Sequence, residues 1–544
     1  MTVEKKAKEL AAQQRAISVA EFFEKNRHLL GFDNPIRALL TTVKEAVDNS
    51  LDACEEADIL PEIFVQVKEI GTNRFKITVE DNGPGIVKKQ IGPVFGKLLY
   101  GSKFQTFGGK QGRGQQGIGI SAAVLYSQLT TGKPAIVTSK ISPKKPANVF
   151  ELKINTKINE PEVVSTKEIE WDKNHGTRIE LELEAKYMEK RASVLEYMKE
   201  TAVVNPHASF VYIDPKDQKL KFPRVTDKLP KKSKKIRPHP YGVELGILQR
   251  MLKETKARTL KSFLTSEFDK VGSGTADEIL KNAGKLDGKI LPRLLTLEQA
   301  DALLKGMQGS KIMSPSTDCL SPIGAEVLKK SLEAEYDLEF AHAITRSPTV
   351  YRGNPFQIEI AIGYGGELVR EGTVNLIRFA NKVPLLYQQG ACAITKATTS
   401  VDWRKYGLQQ SSGNMPQGPA IILVHMGSVW APFTSESKEA IAHYPEIIKE
   451  VKLALQEAGR ALQLFVGRRA KRELAKKKEE MFKNYAIELA ASLAELTPKK
   501  REEILNKILK VAEKMYKSGE IEREEEKVKI KKRKTGAFRG GEEE

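Results

Sequence analysis

Cysteine is scarce in this chain. Only Cys54, Cys319 and Cys392 occur among 544 residues, far apart, so the sequence offers neither a disulfide framework nor a cysteine zinc site. A reducing cytoplasm is the expected compartment. Long apolar runs are also missing. No stretch approaches the ~18 residues of a membrane span, and the opening segment MTVEKKAKELAAQQR has no apolar h-region. These absences predict a protein that is neither exported nor embedded in a membrane. Acid is missing locally: between Asp81 and Glu151 there is no acidic residue but there are ten basic ones. The whole chain carries a formal charge of +19 with a pI near 9.4. That excess favours a polyanionic partner without choosing between DNA, RNA and an anionic surface. With 40% hydrophobic and 29% charged residues and a mean hydropathy of −0.39, the composition is that of a globular protein. Its length allows about three to five domains.

The pattern along the chain is α/β. Ile36, Leu40, Val43, Val47, Leu51 and Cys54 recur at three- and four-residue steps, which predicts a helix from about Pro35 to Ala57. Alternating segments (EIFVQVKEI, RFKITVEDN, PAIVTSKI, VFELKIN, TRIELELE) predict strands of a half-buried sheet, in a module ending near residue 225. Between them, Gly83 to Gly119 is rich in Gly and Gln and is expected to be a long loop that orders on demand. The segment KLPKKSKKIRPHP then places six basic residues between Lys228 and Arg237 with no acid, which suits a linker. Short helices are expected from about Gly242 to Gly306. A second α/β pattern starts near Ser321, with strands at FQIEIAIGY, TVNLIRFAN and PAIILVHMG and a long helix beginning near Ser437. The tail after about Val466 reads as helical and Lys/Glu-rich, and as unstructured from about Glu520. These patterns divide the chain into 1–227, 228–306, 307–466 and 467–544.

Three segments carry chemistry. In EAVDNSLDA, Glu45, Asn49 and Asp52 share one helix face opposite the apolar stripe, which by itself describes any solvated polar face. In EDNGPGI, Asp81 ends a strand and Gly83 and Gly85 flank Pro84, so backbone passes close to something there, or simply turns. The third segment, GRGQQGIGIS from Gly112 to Ser121, lies inside the acid-free window and leads into an apolar helix. Consecutive exposed amides and a helix N-terminus make a phosphate cradle. Gly112, Gly114 and Gly117 match G-x-G-x-x-G, but no strand directly precedes them and no acid follows about 20 residues on, so a dinucleotide site of the Rossmann type is disfavoured. No P-loop sequence and no protein-kinase signature occurs. The seven histidines have no metal-ligand spacing. DWRKYGL, from Asp402 to Leu408, suits contact with DNA or a partner as well as it suits a buried Trp/Tyr pair.

Taken in order, Glu45/Asn49/Asp52/Ala53, Asp81/Gly83/Gly85, Gly114/Gly117/Gly119 and Gly176/Thr177 resemble the GHKL (Bergerat-fold) ATPase superfamily. QGRGQQGIGISAAVLYSQLTTGKPA, PHPYGVE, TDCLSPIG and VNLIRFANKVPLLYQQGACAIT are further similar to the B-subunit family of archaeal type IIB DNA topoisomerases, over roughly residues 10 to 465. The resemblance implies a multidomain α/β fold: a GHKL α/β-sandwich ATPase domain, a helix–two-turn–helix domain after the basic linker, and an α/β transducer domain ending in a long helix. It also implies ATP and Mg2+ as cofactors.

By the same resemblance Glu45 is the general base for the attacking water and Asn49 a Mg2+ ligand. Asp81 would accept from the adenine amino group, and Gly83, Gly85 and Thr177 are nucleotide-binding candidates. Ser102, Lys103, Gly114, Gln115, Gln116, Gly117, Ile118, Gly119, Ile120 and Ser121 would surround the phosphates, the motif favouring Lys103 there over the solvated state usual for a basic loop residue. Lys438 is expected in the first turn of the long helix, capped by Ser435 or Ser437, where a cation opposes the helix dipole unless an anion sits nearby. In the family pattern such a lysine reaches the γ-phosphate, which makes Lys438 both a catalytic and a nucleotide-binding candidate.

The implied partners are an A subunit that carries the cleaving tyrosine (in an A2B2 heterotetramer), double-stranded DNA and, with ATP, a second copy of this chain. No membrane is implied, and the expected location is the cytoplasm, at the nucleoid. Nothing in the sequence resembles a toprim metal site, so strand cleavage falls to the A subunit. Chaperone and mismatch-repair ATPases are the rivals within the superfamily, but a chaperone has no need of the basic helical insert at 228–306. A sensor kinase needs a phospho-acceptor histidine, and His28 has no such context. A nucleotide-gated clamp with little turnover stays open on sequence alone.

Overall fold

The computed structural model describes residues 3–102, 109–114, 117–189, 192–369 and 371–517. Two units divide it, Met1–Leu462 and Gln463–Glu544. Among the described residues no helix is long and apolar enough to cross a membrane.

In the first unit the helix Pro35–Glu56 forms where the apolar stripe predicts it. Asn34 caps it, its side chain accepting the Arg37 N–H at 3.0 Å, and Pro35 occupies the first turn, where its missing donor costs nothing. Leu40, Val43, Val47, Leu51 and Cys54 are buried. The helix lies on an eight-stranded mixed sheet built from β1 (Glu62–Gly71), β2 (Arg74–Glu80), β3 (Ala135–Lys140), β4 (Ala147–Asn155), β5 (Glu160–Ile169), β6 (Gly176–Glu184), β7 (Ser209–Ile213) and β8 (Lys219–Phe222). The order across the sheet is β5-β4-β3-β6-β2-β1-β7-β8, and only β1 and β7 pair in parallel among these neighbours. Alternation in β1 and β2 buries Ile63, Val65, Val67, Phe75, Ile77 and Val79. Helices Gly119–Thr131 and Val194–Val204 pack beside Pro35–Glu56 on the sheet.

One expectation is corrected here, and one strand has no sequence signal. The stretch after Gly83 is not all loop, because Lys88–Gly96 is helical and packs against β4 and β5 despite holding Gly92 and Pro93. Pro93 sits five residues after the helix start, and Ile91 and Phe95 supply enough burial to hold it. β5 was hidden for the opposite reason. It is a sheet edge with almost every residue exposed, so EPEVVSTKEI shows no period-two pattern.

Helices Leu245–Glu254, Leu260–Glu267, Ser273–Asn282 and Leu297–Gly309 make a separate core around Leu248, Met251, Phe263, Phe268, Ile279 and Leu303. A capping box of Thr296 and Gln299 starts the last of them. A second, six-stranded sheet follows, from β9 (Phe340–Thr345), β10 (Thr349–Tyr351), β11 (Asn354–Tyr364), β12 (Asn375–Ala380), β13 (Val383–Pro384) and β14 (Ala420–Ser428). Its order is β10-β11-β14-β12-β13, with β9 also pairing β11. Every residue of β14 is buried, as befits a central strand read from the apolar run AIILVHMGS. Trp403 is buried and its indole N–H donates to the Thr398 carbonyl at 2.8 Å, so DWRKYGL holds a core aromatic, with Arg404 and Lys405 outside.

The long helix runs Pro445–Leu496, not from Ser437. A helix begun at Ser437 would carry Pro445 in its third turn, losing a hydrogen bond and clashing one turn back; beginning at Pro445 avoids both. Residues before it instead form a turn, with the Lys438 N–H on the Ser435 carbonyl at 3.1 Å and an isolated bridge between Phe433 and Ile441. In the second unit the remainder of this helix is followed by the helix Arg501–Lys517. The tail expected beyond Glu520 lies outside the described residues.

Candidate functional site

A cavity of about 290 Å3 opens between the helix Pro35–Glu56, the end of β2, the glycine-rich segment and a loop around Lys438. The most buried carboxylate in its lining is Asp81. One carboxylate oxygen accepts the Ser50 hydroxyl at 2.9 Å; the other accepts the backbone N–H of Gly83 at 2.9 Å and of Thr177 at 3.1 Å. Burial raises the Asp81 pKa while those bonds oppose the rise. The Asp81 N–H in turn donates to the Thr177 carbonyl at 2.9 Å, which fixes the end of β2 against β6. Gly85 takes a left-handed φ of +72°, and a Cβ there would stand 2.1 Å from the Lys140 carbonyl oxygen. Ile86, Phe95 and Ile179 give this end of the cavity apolar walls.

Glu45 and Asn49 occupy the other end. Glu45 is half-buried and Asn49 exposed, and among the described residues neither side chain has a hydrogen-bond partner. The Glu45 carboxylate lies against the first residue of the helix Gly119–Thr131, so close that a Cβ on Gly119 would be 1.7 Å from Oε2. That helix has no side-chain cap at Ile118, so its free amides and positive dipole end face the cavity. Asn49 Oδ1 faces Gly114, whose Cβ would stand 3.9 Å away.

Ser102, Gly114, Gly117, Ile118, Gly119, Ile120, Thr177 and Lys438 all line the same cavity. Gly83 contributes its amide to Asp81 rather than a wall, and Ser121 turns away, its buried hydroxyl donating to the Ile118 carbonyl at 2.9 Å. Lys103, Gln115 and Gln116 lie outside the described residues.

Lys438 reaches the cavity from a turn, not from a helix. Its backbone is left-handed, with φ 53°, and its buried side chain donates from Nζ to the Arg113 carbonyl at 3.1 Å. The loop is clipped to the helix Pro35–Glu56 twice: Lys44 Nζ donates to the Ser437 carbonyl at 3.0 Å, and Arg37 pairs with Glu439. The dipole of the long helix therefore does not act on Lys438 as expected, but the residue lines the cavity. Burial lowers the Lys44 pKa, and the neighbouring Lys438 lowers it further while Glu45 and Asp48 work against them.

Several charged groups escaped the sequence reading because nothing local signals their burial. Asp48 accepts from the Tyr197 hydroxyl at 3.1 Å, leaves Oδ2 without a partner among the described residues, and is pushed by burial to a pKa of about 6. Asp52, which the sequence places on one face with Glu45 and Asn49, is buried, turns away from the cavity and pairs with Arg113 at 2.7 Å. Arg113 also holds Glu55 at 2.7 Å and the Asn205 amide oxygen, and Glu55 holds His207 at 2.8 Å. Burial opposes the charge on Arg113, but Glu55 and Asp52 outweigh it and hold its pKa up. Glu436 brings a further carboxylate to the cavity wall.

Residues 34–186, which hold Glu45, Asp81 and the helix at Gly119, match the family of histidine kinase-, DNA gyrase B- and HSP90-like ATPases. Residues 315–478, which hold the second sheet and Lys438, match the transducer of the topoisomerase VI B subunit. The chain is 53% identical to the type 2 DNA topoisomerase 6 B subunit of Methanococcoides burtonii, over 90% of this chain and 78% of that one. It is 51% identical to its counterpart in Archaeoglobus fulgidus, covering 90% and 80%, and 37% identical to that of Natronomonas pharaonis, covering 90% and 84%. At that identity and coverage, and with an ATPase match followed by a transducer match, the chain belongs to the family of type 2 DNA topoisomerase 6 B subunits.

Proposed function

We propose that this chain is the ATP-hydrolysing B subunit of a type II DNA topoisomerase and that the cavity at Glu45 is its nucleotide site. The observation that carries the reading is the meeting in one cavity of Glu45, Asn49, Asp81, the amide end of the helix Gly119–Thr131 and Lys438. Asp81, with its oxygens oriented by Ser50, Gly83 and Thr177, accepts from the exocyclic amine of adenine, and Ile86, Phe95 and Ile179 exclude water around the base. The amides of Gly117 to Ile120 and the Ser102 hydroxyl receive the phosphates, where the helix dipole favours negative charge. Glu45 orients the attacking water and takes its proton, a task suited to a carboxylate that has no other partner among the described residues. Lys438 donates to the γ-phosphate and balances charge as it develops.

Mg2+ fits the residues present. Asn49 offers an exposed amide oxygen with no competing bond among the described residues, at the phosphate end of the cavity. Bound there with phosphate oxygens, the ion would supply electrostatic stabilisation of the triphosphate.

We read residues 1–227 as the ATPase domain, 228–306 as basic linker plus helical domain, 307–466 as transducer and 467–544 as a tail. The partners are an A subunit that cuts DNA, in an A2B2 assembly, the DNA duplex, and a second copy of this chain when ATP is bound. Such an assembly works at the nucleoid. The test is co-purification with a candidate A subunit followed by plasmid relaxation. Relaxation that needs ATP and both proteins supports the reading; relaxation without ATP, or none with a bound A subunit, overturns it.

A further inference from the structure

Behind the Arg113 segment lies a second and larger cavity, of about 710 Å3. It shares Ser102 and Gly114 with the nucleotide cavity, so the two meet at the end assigned to the phosphates. Six cationic side chains and four carboxylates line it. Most of these cancel: Arg113 pairs with Asp52 and Glu55, Lys110 with Glu56 at 3.2 Å, and Lys232 with Asp58 at 2.6 Å, while Lys231 reaches Asp318 at 3.4 Å.

Lys382 is short of acceptors rather than of charge: Asp52 and Glu55 outnumber Arg113, and their surplus negative charge balances it. It is 4% exposed, and its ammonium has one long bond, to the Ser321 hydroxyl at 3.4 Å, so two of its three donors have no partner among the described residues. The carboxylates facing it are committed elsewhere: Glu55 and Asp52 to Arg113, and Glu359 to His425 and the amides of Ile323 and Gly324. The turn between β12 and β13 is built to keep it there. Asn381 and Lys382 are both left-handed, with φ 50° and 65°, a conformation non-glycine residues adopt only when held. Asn381 is held by the Ser428 N–H at 2.8 Å and by its own amide on the Gly112 carbonyl at 3.1 Å, and the Lys382 N–H bonds His425 at 3.0 Å.

We propose that this second cavity is a holding site for inorganic phosphate leaving the nucleotide cavity, with Lys382 as the ammonium that receives it. The proposal rests on the nucleotide reading above. An anion of this size fits a polar space that opens on the phosphate end, and its oxygens accept from the two ammonium donors left open. A DNA backbone is the poorer occupant, because the ammonium with open donors is recessed and most exposed lysines at the rim are already paired. Lys235, at the mouth and exposed, has no partner among the described residues and extends the same field outward.

The test uses the full chain with a non-hydrolysable ATP analogue filling the nucleotide cavity, and follows inorganic phosphate binding by 31P relaxation. Phosphate should still bind, Lys382→Met should weaken it about tenfold, and Lys235→Glu should weaken it several-fold. No phosphate binding beside the analogue, or binding that neither variant changes, overturns the proposal. So does displacement of phosphate by a short DNA duplex, which would give the cavity to DNA. If Lys382→Met fails to fold, shown by lost analogue affinity, the exposed Lys235→Glu decides. If the analogue itself does not bind wild type, the nucleotide reading fails. Phosphate binding without nucleotide, sensitive to the Lys235 charge, then still reports on the second cavity alone.

Discussion

Lys438 Nζ donates to the carbonyl oxygen of Arg113 across 3.1 Å, joining residues 325 positions apart. The contact ties a loop of the second α/β region to the backbone that enters the glycine-rich segment. The same ammonium lines the nucleotide cavity, so a γ-phosphate competes with the Arg113 carbonyl for it. Lys438→Ala should therefore cost ATP-analogue affinity about tenfold to a hundredfold, the value of one charge-assisted bond of about 1.5–3 kcal/mol. ADP lacks that phosphate, and its affinity should stay unchanged. Side-by-side titrations check this; an equal loss for both nucleotides would make Lys438 a structural residue.

Gly119 is where the glycine-rich helix start can be separated from the fold. A Cβ would stand 1.7 Å from Glu45 Oε2, and what yields is the end of a flexible side chain. Gly119→Ala favours helix by up to about 1 kcal/mol in isolation, so the unfolding midpoint should move little. Hydrolysis should fall at least ~100-fold, the lower range for a displaced general base. Wild-type turnover in a folded Gly119→Ala protein would mean that the Glu45 position is unimportant.

Asp48 predicts a pH effect on stability. Burial raises its pKa from 3.8 to about 6 in the folded chain, with Lys44, Lys438 and Arg113 pulling the other way. A raised carboxyl pKa means that the folded state keeps its proton while the unfolded chain has lost it. The contribution of Asp48 to stability is thus largest below about pH 4 and is lost as pH rises through about 6. Asp48→Asn should gain stability on wild type between pH 4 and pH 7, by at most about 3 kcal/mol. Urea midpoints across that range measure it, and a pH-independent difference would contradict the assignment.

Much of this architecture was legible in the sequence, and the failures have physical causes. The helix Pro35–Glu56 announced itself by its stripe and its Asn-Pro start, and the strands with one buried face by alternation. Glu45, Asn49, Asp81, Gly85, Gly114, Gly117 and Gly119 do meet, as their order along the chain suggested. Edge strand β5 and the helix Lys88–Gly96 were not legible, because one lacks a buried face and the other is made by tertiary packing against propensity. Lys438 was reached through a mistaken helix start: SESKEAI has helical composition, while Pro445 sets where the helix can begin. Asp48, Lys44 and Lys382 were missed because burial of a charge is decided by segments hundreds of residues away.

The basic linker is a case where structure changes an expectation. Lys231 and Lys232 are paired with Asp318 and Asp58, leaving Lys234 and Lys235 without side-chain partners among the described residues. At about 0.9 log–log units per phosphate contact, replacing all four by Ala should flatten the salt dependence of DNA binding by no more than about two units. A change of four units would mean that DNA breaks both ion pairs; no change would leave the linker off the duplex.

The most direct test of the nucleotide site is Glu45→Gln, which keeps shape and removes the base. ATP-analogue affinity and single-turnover ATP cleavage should be measured on the same protein. Affinity within about tenfold of wild type, with cleavage slowed at least ~100-fold, is the predicted result. Cleavage at the wild-type rate would contradict the account, because the carboxylate set against the Gly119 amide end would then have no part in hydrolysis.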